Sequence, residues 1–134
     1  MLIQWNDSLS VSVGDMDGQH KKLFALINGL NDAMRAGKGK DIMSSLLKGL
    51  YDYTVEHFSA EEKVLEKYAY PGLMSQRVEH RKFTGKIAEY QTLFEKGSTS
   101  LSIQIMDFLS DWLKNHIMKT DKQYGAFLNG KGIK

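Results

Sequence analysis

Four histidines are the residues of this chain with the clearest chemical potential, because the sequence contains no cysteine. Without thiolates, imidazole nitrogens and carboxylate oxygens are the strong metal ligands that remain. The histidines are His20, His57, His80 and His116. Glu61 follows His57 by four residues, which places a carboxylate on the same helical face one turn further along. Together these residues indicate a metal site built from nitrogen and oxygen donors.

Four helices separated by three breaks would position these side chains. Glycine, proline and serine interrupt the pattern at residues 37–39, 71–72 and 97–100, and within each segment apolar residues recur at steps of three and four. Asp17 is a candidate cap for the first helix. The sequence predicts an N-terminal arm, four helices and a C-terminal tail, at about residues 1–17, 18–36, 40–68, 72–96, 100–119 and 120–134.

Short connections between helices favour antiparallel neighbours. We therefore expect one all-α domain over residues 1–134, an up-down-up-down antiparallel four-helix bundle with an N-terminal loop arm. Each predicted helix carries one histidine at a core-facing position of its apolar pattern. At ~1.5 Å of rise per residue, the heights of the four histidines differ by no more than about a dozen ångströms. All four imidazoles can then meet at one end of the bundle.

A buried histidine is usually structural when it occurs alone. Four imidazoles buried together would leave ring nitrogens without partners, at a cost of a few kcal/mol each, and a metal ion removes that cost. Glu61 could instead be an exposed acid in the polar run at residues 59–63. Asp121 lies five residues after His116, ~140° round a straight helix, so it reaches the same metal only if the helix ends or deforms there. By donor type alone the site suits iron, zinc, copper or manganese.

Composition excludes several classes of function. The chain has 134 residues, of which 42% are hydrophobic and 25% charged, with a net charge of +2. Charges of both signs are interspersed, so nucleic acid is not an expected partner. No segment approaches the ~18 consecutive apolar residues that a membrane span requires, and the N-terminus lacks the pattern of a signal peptide. We expect a cytoplasmic protein without a membrane span.

The sequence resembles the bacterial hemerythrins across essentially the whole chain. The resemblance rests on Trp5, on DGQHKKLF at residues 17–24, on HFSAE at residues 57–61, on YPG at residues 70–72 leading to Glu79-His80, and on WLKNHIMKTDKQY at residues 112–124. It implies two non-haem iron ions, cycling between Fe2+ and Fe3+, joined by a bridging oxo or hydroxo group. The metal ligands implied in this way are His20, His57, Glu61, His80, His116 and Asp121.

In the arrangement that the resemblance implies, Glu61 and Asp121 bridge the two irons. His20 and His57 would bind the iron that keeps an open position for dioxygen, and the later histidines would bind the other iron. The wall of the dioxygen pocket would comprise Leu23, Phe58, Trp112, Leu113, Ile117 and Tyr124. Each of these residues is also explained by its place in an apolar core, although a buried indole or phenol needs a polar partner.

Gln76 is the one departure from the family pattern, which has a histidine pair at a spacing of four on the third helix. Here Gln76 stands one turn before His80. Its amide oxygen is a weak potential ligand, and a water molecule could take the same place. Alternatively Gln76 is a core-edge amide that does not contact the metal, so the sequence leaves its role open.

Three functions are compatible with these residues. We expect a dioxygen-binding protein, a carrier, store or sensor without catalytic residues, rather than an enzyme. The alternative is a di-iron enzyme with peroxidase, nitric oxide or oxidase activity, for which the missing histidine at Gln76 is the specific support. The expected small-molecule partners are accordingly dioxygen and, for the alternative, peroxide or nitric oxide. A structural bundle without metal is disfavoured by the clustered histidines.

Overall fold

A computed structural model of the chain describes residues 3–37, 40–96 and 103–134. Within these residues the regular structure is entirely helical, as the sequence predicts. A short 3-10 helix, Asp7–Leu9, precedes the main elements. These are α1 Gly14–Arg35, α2 Lys40–Lys67, α3 Leu73–Glu95, α4 Ile103–Asn115, a π-helical segment His116–Asp121, and α5 Lys122–Gly130.

α1 begins four residues before its predicted start, and Asp17 lies inside its first turn rather than capping it. The carboxylate of Asp17 instead accepts hydrogen bonds from the Ser10 hydroxyl at 2.5 Å and from the Val11 backbone N–H at 2.8 Å. It therefore ties the preceding loop to the helix. Of the predicted break at residues 37–39 only Gly37 is described, and the break at residues 97–100 lies outside the described residues. Pro71-Gly72 separates α2 from α3 as predicted.

The predicted C-terminal tail at residues 120–134 is wrong, because the chain stays helical as far as Gly130. No proline interrupts this part of the sequence. Tyr124 and Leu128, four residues apart on one face of α5, are both buried and join the hydrophobic core. The apolar period that predicts the other helices continues here, so the burial of this face holds α5 against the bundle.

Each of the four main helices contributes one apolar face to a shared core. α2 packs against both α1 and α3, and α4 packs against both α1 and α3. Many of the apolar residues at steps of three and four along these helices are buried, among them Leu23, Ile27, Leu30, Leu47, Leu50, Phe83, Ile87 and Leu109. Among the described helices, none has both the length and the apolar composition needed to cross a membrane.

The N-terminal segment fastens α5 to α1. The backbone of Ile3 exchanges two hydrogen bonds with the side chain of Asn28, at 2.9 and 2.7 Å. At the other end of the segment, a Cβ atom on Gly125 would lie 2.0 Å from the carbonyl oxygen of Val11, so only glycine permits this close approach. The position of α5, and of Tyr124 within it, therefore depends on the N-terminal segment.

Candidate metal centre

The six residues predicted as metal ligands meet in one buried cluster. None of them is more than 4% exposed. Their potential donor atoms form two overlapping groups, and within each group all the donor atoms lie within 4.8 Å of one another. Glu61 belongs to both groups. The first group is His20, His57 and Glu61, and the second is Glu61, His80, His116 and Asp121.

Glu61 lies at the middle of the cluster. Its Oε1 atom is 3.3 Å from Nε2 of His57 and 3.3 Å from Nε2 of His80. Its Oε2 atom is 3.0 Å from Nε2 of His20. One carboxylate thus faces imidazoles from α1, α2 and α3. The alternative that Glu61 is an exposed surface acid is wrong, since its side chain is buried.

The π-helical segment brings Asp121 to the same cluster. The backbone N–H of Lys122 bonds to the carbonyl of Ile117, five residues earlier, where an α-helix would bond four residues earlier. Because the turn is wider, residues five apart share a face. Oδ1 of Asp121 lies 3.0 Å from Nε2 of His116, and its Oδ2 lies 3.2 Å from Nε2 of His20. This is the helix deformation that the spacing of Asp121 required.

The polar atoms at the centre of the cluster fit a cation. Within the described residues, several of them are buried and have no hydrogen-bond partner, which is costly unless something else compensates them. Nδ1 of His57 and of His80 each has an acceptor, so the proton of the neutral ring lies on Nδ1 and the lone pair of Nε2 is free to bind a metal ion. At the centre the uncompensated atoms are Nε2 of His57, His80 and His116, Oε1 of Glu61 and Oδ2 of Asp121. The outer Nδ1 atoms of His20 and His116 also lack a hydrogen-bond partner. Imidazole and carboxylate together suit first-row transition metals such as iron.

The two carboxylates and the imidazoles shift one another's protonation. Burial lowers the pKa of His20, but hydrogen bonds and charge from Asp121 and Glu61 outweigh burial and raise this pKa to about 10. Burial likewise raises the pKa of Glu61, yet the charge of His57 and hydrogen bonds from neighbouring imidazoles bring it well below its ordinary value. The pKa of Asp121 is lowered, against burial and the charge of Glu61, by its contacts with His116. Protons and metal ions therefore compete for the same positions.

Three further side chains support the imidazole rings, and the sequence analysis did not single them out. Each contacts a histidine on a different helix, so no fixed spacing along the sequence relates it to that histidine. Gln19 Oε1 lies 2.6 Å from Nδ1 of His57, Glu62 Oε2 lies 2.9 Å from Nδ1 of His80, and Glu79 Oε2 lies 3.4 Å from Nδ1 of His116.

Gln76 lies inside the cluster and not at the edge of the core. It is fully buried, and its amide Nε2 donates a hydrogen bond to Oδ1 of Asp121 at 2.9 Å. Its Oε1 atom has no hydrogen-bond partner among the described residues. The amide therefore contacts a predicted metal ligand with one end and presents an uncompensated oxygen at the other.

Aromatic rings cover the histidines of α3 and the π segment. Phe58 stacks on His80, with ring centroids 3.8 Å apart and an interplanar angle of 3°. Trp112 stacks on His116, with centroids 4.6 Å apart and an angle of 14°. These contacts restrict ring rotation and keep water from one side of each imidazole. The other aliphatic residues predicted for the pocket wall are buried as well, namely Leu23, Leu113 and Ile117.

Tyr124 reaches the centre from α5. Its hydroxyl donates a hydrogen bond to Oε2 of Glu61 at 2.5 Å. Burial, followed by the negative charges of Glu61 and Asp121, raises the pKa of the Tyr124 phenol well above its ordinary value. The phenol therefore remains a proton donor that holds Glu61 in place.

The fold and the cluster together define a metal-binding helical bundle. The hemerythrin HHE cation binding domain matches residues 11–128. A bacteriohemerythrin of Methylococcus capsulatus is 36% identical over 96% of this chain and 98% of its own length. A hemerythrin-like protein of Naegleria gruberi is 36% identical over 92% of each chain. The crystal structure of a wild-type hemerythrin superposes with a TM-score of 0.86 at 35% identity, covering 94% of this chain and 97% of that one. The chain belongs to the hemerythrin family.

The pKa shifts predict how the stability of the metal-free protein depends on pH. Because the pKa of His20 is raised from 6.5 to about 10, the folded chain holds a proton that the unfolded chain loses above pH 6.5. This contribution to stability is complete below pH 6.5 and is lost as the pH rises towards 10. The thermal midpoint of metal-stripped protein should therefore fall over that range.

The metal-loaded protein provides the control, because bound metal replaces those protons and its affinity improves as they leave. Its thermal midpoint should hold or rise where that of the metal-free protein falls. Thermal unfolding followed by circular dichroism measures both. A metal-free midpoint that stays level or increases between pH 6.5 and 10 would contradict the proton-holding role of His20.

Proposed function

We propose that this chain is a non-haem di-iron protein that binds dioxygen reversibly and serves as a carrier, store or sensor. The observation that carries the proposal is the position of two buried carboxylates between two pairs of histidines. Glu61 lies within 3.3 Å of imidazoles from three helices, and Asp121 lies within 3.2 Å of imidazoles from α1 and the π segment. Carboxylates in this position suit the bridging of two metal ions.

We infer that the helices form an up-down-up-down bundle across a single domain, with residues 3–13 as an N-terminal arm. His20 and His80 lie near the beginnings of α1 and α3, whereas His57 lies towards the end of α2 and His116 directly after α4. Their imidazoles meet, which antiparallel neighbours explain. Contacts of α2 and of α4 with both other helices support the same arrangement.

His20 and His57 would hold one iron, and His80 and His116 the other, with Glu61 and Asp121 bridging them. Bound ferrous irons supply the electrons that let the site hold dioxygen. The iron at His20 and His57 would keep the open position for dioxygen. The pairing of donors within 4.8 Å into two overlapping groups supports this division.

The remaining residues of the centre hold these ligands and exclude water. The Tyr124 hydroxyl fixes one oxygen of Glu61. The rings of Phe58 and Trp112 cover His80 and His116. An apolar wall completed by Leu23, Leu113 and Ile117 suits a small uncharged ligand, because it admits dioxygen and slows the entry of water and protons.

A second candidate function is favoured by Gln76. Its amide occupies a place in the centre, and its Oε1 atom has no partner within the described structure. An amide oxygen is a weaker ligand than imidazole, so the iron held by His80 and His116 would have an exchangeable position. A cleft of about 170 Å3 opens beside His116, lined by Glu79, Trp112, Asn115, His116, Lys119 and Thr120. This opening supports peroxide, nitric oxide or oxidase chemistry at that iron.

Reversible dioxygen binding can be tested together with the apolar wall. Ferrous protein exposed to air should develop a visible absorption band that disappears when dioxygen is removed. In Leu113→Ala the band should form but decay several-fold faster, because a cavity beside the site admits water. Stopped-flow absorbance measures both the formation and the decay.

Leu109→Ala is the matched control, since Leu109 lies one turn earlier on α4 and is equally buried. Both truncations should cost about 2–5 kcal/mol of stability, but only Leu113→Ala should shorten the life of the oxygenated form. Equal decay in the parent and in Leu113→Ala would show that Leu113 is an ordinary core residue. A parent that takes up iron and shows no reversible band would contradict dioxygen binding.

The role of Gln76 is tested by Gln76→His. A third imidazole one turn from His80 should bind the iron of that half more tightly and close the exchangeable position. Iron should be held more tightly in that half, peroxide turnover should fall, and the oxygenated form should last longer. Metal analysis, peroxide consumption and absorbance decay measure these effects.

Ser75→His is the control, because Ser75 is exposed on the same helix and its imidazole would lie outside the centre. It should leave iron content and peroxide turnover unchanged. If Gln76→His also leaves iron content and peroxide turnover unchanged and only lowers thermal stability, the amide plays no part in the chemistry. The added imidazole then costs stability because it is buried without a partner.

A further inference from the structure

The two halves of the centre differ in what stands behind their imidazoles. On the side of His80 and His116, carboxylates approach both outer ring nitrogens, from Glu62 at 2.9 Å and from Glu79 at 3.4 Å. On the other side the partner of His57 is the neutral amide of Gln19, at 2.6 Å. The outer Nδ1 atoms of His20 and of His116 both lack a hydrogen-bond partner within the described residues, but only that of His116 has a carboxylate beside it.

This difference has a direct consequence for metal binding. A carboxylate that accepts the outer N–H of a ligating imidazole increases electron density on the inner nitrogen and fixes the orientation of the ring. The ligand then becomes a stronger donor, above all to a metal ion of higher charge. A neutral amide fixes the ring in the same way but adds no charge.

Both carboxylate oxygens of Glu62 accept hydrogen bonds, which fix the position of its side chain. One of its oxygens accepts the hydrogen bond of His80, and the other accepts a hydrogen bond from Nε of Arg77 at 3.2 Å. Arg77 also contacts Glu66 at 3.5 Å, but Glu66 is an exposed residue. An exposed ion pair contributes little to stability, whereas the ring of His80 is buried. The contact between Glu62 and His80 is therefore the one that bears on the centre.

We propose that Glu62, through its hydrogen bond to His80, and Glu79, through its charge beside His116, are positioning residues that make the half of the centre at His80 and His116 the stronger metal site. This inference rests on the proposed function, because it assumes two metal ions. Glu62 and Glu79 would thereby compensate for Gln76, the weak donor of the same half. The two ions therefore differ in affinity and in reduction potential, and this half fills first.

Titration of the metal-free protein with Co2+ tests the order of filling, because cobalt accepts the same nitrogen and oxygen donors and its visible spectrum reports each occupied site. Binding to the parent should occur in two steps. Glu62→Gln should weaken the tighter step by about tenfold, the lower end of the 10–100-fold range for hydrogen-bonded partners of ligating histidines. Glu79→Gln should weaken it less, because Glu79 contributes charge but no hydrogen bond. Glutamine preserves shape, so the metal-free variants should unfold at the parent's temperature.

Two matched variants make the test specific. Glu66→Gln removes a charge from the same face of α2, where within the described residues the Glu66 side chain contacts only Arg77, and it should change neither step. Gln19→Glu places a carboxylate behind His57 and should tighten the weaker step by a similar factor. Glu62→Gln should therefore weaken the tighter binding step, whereas Gln19→Glu should strengthen the weaker one.

Reduction potential separates a charge effect from a packing effect. In iron-loaded Glu62→Gln, a tenfold loss of ferric relative to ferrous affinity would raise the one-electron midpoint potential by about 59 mV. Glu62→Asp, which retains the charge, should restore part of the difference, and a purely structural role would not produce this pattern.

The outcomes are distinct. A parent that binds two cobalt ions, with both constants unchanged in Glu62→Gln and Glu79→Gln, overturns this inference and leaves the di-iron proposal intact. A parent that binds at most one cobalt ion overturns both. Weakening of the tighter step in both variants, with Glu66→Gln unchanged, supports the inference.

Discussion

The structure depends on a cluster of imidazoles and carboxylates that is buried without enough hydrogen-bond partners. Each uncompensated polar atom costs free energy in an apolar interior, and such atoms occur here on His57, Glu61, His80, His116 and Asp121. A metal ion bound at these atoms would remove that cost, because they would then coordinate the metal. The surrounding core of leucine, isoleucine and phenylalanine supplies the stability with which the chain holds the cluster together before metal arrives.

The elements around the cluster are arranged to satisfy this constraint. The π-helical segment changes the turn by one residue and so brings Asp121 to the face of His116. The N-terminal segment secures α5 through the contact of Val11 with Gly125. α5 in turn delivers the Tyr124 hydroxyl to Glu61. Features far from the centre along the chain therefore act on the same two carboxylates.

Much of this arrangement could be predicted from the sequence. The four-helix pattern and the meeting of the four histidines with Glu61 follow from apolar period and spacing. Asp121 could only be predicted conditionally, because spacing indicates that a deformation is needed and does not provide one. The partners Gln19, Glu62 and Glu79 could not be predicted, because a hydrogen bond to a ring depends on its rotation and on which neighbouring helix it faces. α5 was missed although its apolar period continues that of α4.

The most direct test is the location of iron in crystals of the loaded protein, by anomalous diffraction at the iron edge. Two iron peaks are expected, each within ~2.0–2.3 Å of its ligand atoms. One should lie at Nε2 of His20 and His57 and the other at Nε2 of His80 and His116, with Glu61 and Asp121 reaching both. A single peak, or two peaks that share neither carboxylate, would contradict this arrangement.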